Sequence, residues 1–298
     1  MANRTLNILV NREGGAAAKA GDGLYDTIAA AFAAAGVAVE IQLLASKDMP
    51  KAVKDTARGV SRIVVAGGDG TMACAAQALT GQDTELALLP LGTLNHLARD
   101  LGIPAELDAA AKLAAHGKAI GIDVGTVNGQ RFVNNVSIGL YPKMVRERDA
   151  VRGRRNWPKW LATVPAAWDT LAQLPHHRLR VSVGGEEEPL VTPLLFVGNG
   201  IYSLEQGDVG CRSMLQGGKL GIYAVARRSR IALLWFAVRT IFGRADPRTD
   251  FVLMGESAKL DVKAHRDELE IAMDGEVRRL VTPLRFGVET QALRVVTP

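Results

Sequence analysis

Two short glycine-bearing turns hold the residues with the clearest chemistry. Gly67-Gly68-Asp69-Gly70-Thr71 follows the apolar run 63–66, and Leu91-Gly92-Thr93 follows the apolar run 86–89. Each precedes a segment with helical spacing. Glycine reaches backbone angles closed to other residues and lets a ligand approach the main chain. A helix that starts behind such a turn offers unpaired N–H groups and the positive end of its dipole, which suits an anion. The pair therefore suggests a phosphate-binding crevice, with Thr71 capping the first helix. Asp69 is informative because a carboxylate beside phosphates is repulsive unless a cation or a reacting proton intervenes. The competing reading of the same residues is a tight strand-to-helix turn with Asp69 on the surface. Neither G-x-x-x-x-G-K-[ST] nor G-x-G-x-x-G occurs, which excludes a Walker loop and weakens a dinucleotide-dehydrogenase reading.

These turns need strands in front and helices behind, and the first half of the chain supplies them. Strands are predicted at 6–10, 37–44, 63–66 and 86–89. Helices are predicted at 24–35, 50–58, 72–79, 94–101 and 107–116, with a glycine-bearing loop at 12–16. Regular alternation of this kind argues for a doubly wound parallel sheet, in which ligands sit beyond the carboxyl ends of the strands. The turns after Val10, Ala66 and Pro90 all lie at that end. The pattern changes near residues 121–125. Beyond it strands are predicted at 131–136, 179–183, 193–197, 219–226, 258–262, 268–273 and 277–280. Asn128-Gly129, Gly184-Gly185, Gly217-Gly218 and Asp274-Gly275 read as hairpin turns. The second half is thus a mostly antiparallel β domain, interrupted by helical stretches at 157–174 and 230–242, and residues 186–188 read as a solvated turn.

A chain of 298 residues, 48% hydrophobic and 22% charged, has room for two domains and a proper core. Its net charge of +5 suits anionic ligands or an anionic membrane surface without identifying either. Cys74 and Cys211 belong to no Cys-x-x-Cys or Cys/His cluster, which argues against structural zinc and a disulfide framework. Cys74 reads as a small core residue. The N-terminal apolar run is too short for a secretory signal, and the run 231–242 falls short of the roughly 20 residues of a membrane span. A soluble, cytoplasmic protein is expected, with peripheral contact at the inner membrane face as a further expectation.

GGDGT at 67–71, followed by PLGTLNHLARDLGIP at 90–104, resembles the diacylglycerol kinase catalytic-domain family, which includes bacterial lipid kinases and sphingosine kinases. DVGTVNG at 123–129, FVNNVSIGLYP at 132–142 and MDGE at 273–276 are similar to later family blocks in the same order. GGDG alone is shared with NAD kinases, and the PxGTxNxxAR block favours the lipid kinases. The resemblance implies transfer of phosphate from ATP, with Mg2+, to a lipid hydroxyl. It also implies an α/β plus β fold. An N-terminal doubly wound parallel α/β nucleotide-binding domain spans 1–124 and takes back the tail 284–298. A C-terminal mostly antiparallel β-sandwich, the substrate and catalytic domain, spans 125–283. Asn11 stands where the family has the Asn of its first nucleotide-binding motif, and Arg12 where Pro is usual. Gly67, Gly68, Gly70 and Thr71 match the phosphate loop. Gly92, Thr93 and Asn95 match the second loop, and Asp274 and Glu276 match the carboxylates of the DGE block. Asp274 and Asp69 are the two candidate bases. The assignment taken here is Asp274 as base, with Asp69 and Glu276 toward metal or water.

Two departures from the family stand out: His96 replaces a frequent Asp, and Gln216-Gly217-Gly218 replaces Asp-Asp-Gly. The resemblance ties those acids to a structural metal site, which is expected to be absent or rebuilt here, and His96 could donate a hydrogen bond into the first site. Two basic segments remain. Residues 143–159 hold seven Lys/Arg against two acids, and residues 227–248 hold six Arg against one, each next to tryptophan and other apolar side chains. That combination suits transient contact with an anionic membrane or an amphipathic helix covering the β domain. No nucleic-acid motif accompanies it, so nucleic acid is not expected as a partner. An oligomer is compatible with exposed β edges. The leading function is a lipid kinase acting on diacylglycerol or a related alcohol. The alternatives are a kinase for a soluble acceptor, akin to NAD kinase, and a catalytically inactive nucleotide-binding regulator.

Overall fold

The computed structural model describes residues 5–14, 23–139, 177–202, 212–225 and 251–298. The basic segments 143–159 and 227–248, the helical stretches 157–174 and 230–242, and Cys211 lie outside the described residues.

The first half alternates as its periodicity predicts. In order come β1 (Leu6–Asn11), α1 (Gly23–Ala34), β2 (Val39–Leu44), α2 (Met49–Ala57), β3 (Arg62–Gly67), α3 (Asp69–Leu79), β4 (Glu85–Pro90), α4 (His96–Asp100) and α5 (Leu107–His116). The strands pair in parallel in the order β2-β1-β3-β4. Every residue of β3 is buried, because helices cover both faces of the sheet. Side chains of a strand alternate between faces. Ile63 and Val65 therefore pack with Val53 of α2 and Met72 of α3. Val64 and Ala66 pack with Phe32 of α1 and Ala110 of α5 on the other side.

Two helix starts differ from the sequence reading. α3 begins at Asp69, with Gly68 as its N-cap and no side-chain cap bond, so Thr71 does not cap this helix. Glycine lets the chain enter the helix without a side chain in the way, and Thr71 already lies in the first turn. α4 begins only at His96, because Asn95 adopts a left-handed conformation (φ 49°).

The second half is built from strands. β5 (Lys118–Val127) and β6 (Gln130–Phe132) form a hairpin, followed by β7 (Asn135–Gly139), β8 (His177–Val183), β9 (Glu186–Thr192), β10 (Leu194–Asn199), β11 (Ile201–Tyr202) and β12 (Arg212–Met214). Then come β13 (Leu220–Val225), β14 (Phe251–Ser257), β15 (Lys259–Ala264), β16 (Glu268–Met273), β17 (Glu276–Val281) and β18 (Leu284–Thr297). An antiparallel sheet of order β14-β13-β10-β7-β16-β17 packs against the β18-β15-β8 limb of the other sheet. Val136, Ile138, Leu195, Ile222 and Ile271 from the first meet Val181, Leu260, Val262 and Phe286 from the second in one core. The C-terminal half is thus a two-sheet antiparallel β domain.

β18 joins the halves. It pairs in parallel with β4 at Val295↔Leu86 and antiparallel with β5 and β15, with an irregular register between Glu289 and Leu293. Asp123 of β5 holds that bend: its carboxylate accepts from Gln291 N at 2.9 Å and Gly218 N at 2.6 Å. Gly217-Gly218 is therefore not a hairpin turn. It links β12 to β13, which lie in different sheets, and its amide is spent on Asp123. Residues 186–188 are not a turn either. They open β9, an edge strand whose solvent side tolerates acids and Pro189, with Glu187 2.9 Å from Lys263.

Candidate active site

The nucleotide-side turns are locked together by short polar contacts. Asn11, at the buried end of β1, donates from Nδ2 to Thr71 Oγ1 at 2.7 Å and accepts at Oδ1 from Glu13 N and Ser46 Oγ. One amide thus ties the loops after β1 and β2 to the first turn of α3. Thr71→Val removes the acceptor and leaves a buried donor unpaired, which costs about 1–3 kcal/mol. The expected result is a lowered melting temperature in calorimetry, and an unchanged one would show that this contact carries no weight. Arg12 is exposed, and its backbone N–H donates to Leu44 O at 3.0 Å.

Gly67, Gly68 and Gly92 are required by close approach. A Cβ on Gly67 would lie 2.6 Å from Thr71 Cβ, and one on Gly92 would lie 2.6 Å from Gly68 Cα. Gly70, by contrast, opens onto free space. The Asp69 carboxylate bridges the two turns, accepting from Asn95 N at 3.0 Å and His96 N at 2.5 Å. It sits at the N-terminal end of α4, where unpaired N–H groups favour a negative charge. Asn95 closes the second turn on itself, with Oδ1 accepting from Gly92 N and Nδ2 donating to Gly92 O. Thr93 is exposed. The His96 ring lies by Arg99, so its contribution to the Asp69 contact is its backbone N–H.

Asp274 lies at the other wall. It opens the β16–β17 turn at φ 48°, followed by Gly275 at φ 86°, the left-handed pair that a tight hairpin demands. Oδ1 accepts from Asn134 N at 2.8 Å and Asn135 N at 3.2 Å. Oδ2 accepts from Val133 N at 2.9 Å and Gln77 Nε2 at 3.3 Å. Burial pushes this carboxyl above its ordinary pKa, and the backbone and Gln77 hydrogen bonds pull it only part of the way back. Glu276, the first residue of β17, pairs with Met273 directly across the turn, is exposed and lies 3.0 Å from Arg278.

A cleft of about 500 Å³ separates the walls. Gly70, Cys74 and Gln77 of α3, Lys54 of α2, and Asp274 and Glu276 of the hairpin all line it. Gly70, Ala73, Cys74 and Gln77 follow the i, i+3, i+4, i+7 spacing of one helix face. That spacing is the sequence signal that marks Gln77, the one long polar side chain among small ones. The motifs alone did not single it out.

The structure brings Asn11, Gly67, Gly68, Asp69, Thr71, Gly92 and Asn95 into one cluster, and Asp274 and Glu276 into another that meets Gly70. Glu276 lines the cleft, whereas Asp69 is not among its lining residues. Gln77, which touches Asp274, stands about 12 Å along α3 from Asp69 at 1.5 Å per residue. Each Asp69 oxygen accepts one backbone N–H and keeps a further lone pair. Among the described residues no group of three or more His, Cys, Asp or Glu could hold a metal. The described carboxylates therefore form no all-protein magnesium cage on their own. A magnesium that arrives with a nucleotide brings phosphate and water ligands of its own and needs few from the protein. The glycine cradle with its helix N-terminus does fit a polyphosphate. At Gln216-Gly217-Gly218, Gln216 Nε2 donates to Gly121 O at 2.7 Å, so this turn is fastened by protein hydrogen bonds.

The family model of the diacylglycerol kinase catalytic domain matches residues 5–127. "Probable lipid kinase YegS-like" of Citrobacter koseri is 37% identical over 119 residues, which is 38% of this chain and 40% of that protein. "Probable lipid kinase YegS" of Escherichia coli O6:K15:H31 is 38% identical over the same length. The match thus spans 40% of the length of these curated relatives. The crystal structure of a diacylglycerol kinase from Bacillus anthracis str. Sterne aligns with a TM-score of 0.68 at 21% identity, covering 99% of this chain and 97% of that one. At such identity the likeness shows the fold. The resemblance read from the motifs is borne out, in sequence over residues 5–127 and in architecture over the whole chain.

Proposed function

We propose that this chain, whose residues 5–127 match the catalytic domain of the diacylglycerol kinase family, is a kinase. In this reading it passes the γ-phosphate of ATP to the hydroxyl of diacylglycerol or a related lipid alcohol. The observation that carries the proposal is that Gly70 of the phosphate turn and Asp274 of the opposite sheet line one cleft. The nucleotide rests its phosphates on residues 68–71 and 92–95, with magnesium travelling as part of the substrate. The acceptor hydroxyl enters the cleft at Asp274. Its oxygen forms a bond to the γ-phosphorus, the bond from that phosphorus to the β–γ bridging oxygen breaks, ADP leaves, and the hydroxyl proton passes to Asp274. Four donors occupy the Asp274 carboxylate, about all that its lone pairs accept. The contact with Gln77, the longest at 3.3 Å, is the one an acceptor hydroxyl displaces.

The test is transfer of label from γ-labelled ATP, with magnesium, to a lipid panel that includes diacylglycerol, with NAD as a soluble acceptor. Label in a lipid is expected. Label in NAD alone would favour the soluble-acceptor reading, and label in neither would defeat both. Contact with an anionic membrane belongs to the same proposal and draws its support from the basic segments 143–159 and 227–248. Among the described residues no helix is long and apolar enough to cross a membrane.

A pH dependence follows from the raised pKa. A base must be unprotonated to work, so kcat/KM rises with pH through the Asp274 pKa. Because that value is raised, the acidic limb is expected above the value of about 3.9 typical of a free aspartate. The sign for folding is opposite. A carboxyl with a raised folded pKa favours the folded chain below its unfolded pKa, and that contribution is lost as pH rises through the folded value. An acidic limb at the ordinary carboxylate value would count against Asp274 as the base.

A further inference from the structure

Arg212 and Asp100 form an ion pair in which the two side chains are 0% and 2% exposed, with Nε and Oδ2 2.6 Å apart. Taking both charges out of water costs several kcal/mol per ion, and apolar residues of similar size often serve stability equally well. Stability is therefore a poor account of this pair. Its other bonds supply a better one. Arg212 Nη1 donates to Val133 O and, at 3.1 Å, to Asn199 O, while Nη2 donates to Asn134 Oδ1 at 3.2 Å. The segment that these bonds hold from behind is the one whose N–H groups grip Asp274 in front. Asn199 Nδ2 adds a second donor to Val133 O at 3.2 Å, and Tyr202 OH donates to Asn134 O at 3.2 Å.

Asp100 ends α4, the short helix whose first N–H groups hold Asp69. A continuous set of contacts therefore runs from the phosphate turn through Asp69, α4, Asp100, Arg212 and residues 133–135 to Asp274. Among the described residues the other hydrogen bonds of Asp274 are its own N–H to Asn135 O at 3.0 Å and the 3.3 Å contact with Gln77 of α3, the longest of those to its carboxylate.

We propose that the buried Arg212–Asp100 pair is a positioning device, which sets the Asp274 carboxylate relative to the phosphate turn by fixing the Val133–Asn135 backbone between them. This rests on the reading of Asp274 as the base. Arg212 touches no substrate in this scheme. It acts through the peptide groups it holds, and a misplacement of about 1 Å at the reacting centre costs about 10²-fold in rate.

The test replaces both charges at once, Asp100→Leu with Arg212→Met, in the full-length chain. No lone charge is then left buried, so the chain is expected to fold, with a melting temperature lowered only by the donors that Asn199 O and Asn134 Oδ1 lose. The expected kinetic result is a fall in kcat of about 10²-fold with the KM for ATP unchanged. The amide resonances of Val133, Asn134 and Asn135 should move in the same variant. Arg212→Lys keeps the ion pair but loses the second arm of the guanidinium, and it should show an intermediate fall. A native kcat in the double variant overturns the proposal, as does a fall with those three amides unmoved. If the double variant does not fold, Arg212→Lys decides, and native kcat there overturns it. Asp274→Asn separates the two readings. Activity in that variant defeats the base assignment, whereas an inactive Asp274→Asn beside an unaffected double variant defeats the positioning role alone.

Discussion

Asp274→Asn should lower kcat by about 10³-fold, within the range of 10²–10⁴ that positioned general bases contribute. The substitution keeps the shape of the side chain and removes its ability to take a proton. Of the nucleotide-side turns only Gly70 lines the cleft, and no residue of either turn hydrogen-bonds Asp274, so ATP affinity should hold. Isothermal titration with ATP and a phosphoryl-transfer assay on one preparation distinguish the two quantities. Parallel loss of binding and turnover would mean that Asp274 maintains the site and does not serve the reaction. Turnover within about tenfold of native would move the base elsewhere. Asp69 is then the other candidate base, with each of its oxygens already accepting one backbone N–H bond.

Gly92→Ala should weaken ATP binding by at least about tenfold, or 1.4 kcal/mol. The new Cβ would stand 2.5 Å from Asn95 Oδ1 and 2.6 Å from Gly68 Cα. Neither neighbour can give cheaply. Gly68 Cα is main chain, and Asn95 Oδ1 is the acceptor that closes the second turn on Gly92 N. The two turns must therefore separate, at an overpacking cost of about 1–3 kcal/mol. Their separation also pulls on Asn95 N, one of the two amides that hold Asp69. Gly70→Ala is the matching control, because a Cβ there meets nothing within 4 Å in the protein. Its effect, if any, must come from crowding the ligand. Equal ATP affinity in native and Gly92→Ala proteins would remove the close approach of the turns from the account of nucleotide binding.

Much of the first half was legible residue by residue. Runs such as Ile63–Ala66 are apolar throughout because both faces of a doubly wound sheet are covered, and that burial leaves a mark on the sequence itself. The glycines at 67, 68 and 92 were legible because only a residue without a side chain allows the backbones to approach so closely. The roles inside the turns were less so. Thr71 looked like a helix cap by position, but the cap is Gly68, and Thr71 serves Asn11 some 60 residues earlier. Asp69 looked available for a cation by position alone; its bridge to the backbone of Asn95 and His96, one N–H on each oxygen, was not legible. In the second half, β9 was hidden by its glutamates, because an edge strand facing water need not be apolar.

Local chemistry acts over a few residues and over one period of a helix or strand, and within that range the amino-acid order alone determined the outcome. It set the βα alternation, the phosphate turn, the left-handed Asp274-Gly275 hairpin and the small-residue face of α3. Contacts between distant residues depend on strand order and register, which no local pattern encodes. Tertiary structure alone placed Asp274 and Glu276 on one cleft with Gly70. It also buried Arg212 against Asp100, behind the peptide groups that hold Asp274. A charge can be removed from water only where the assembled fold supplies its partner and its donors, and that partner lies more than a hundred residues away in the chain.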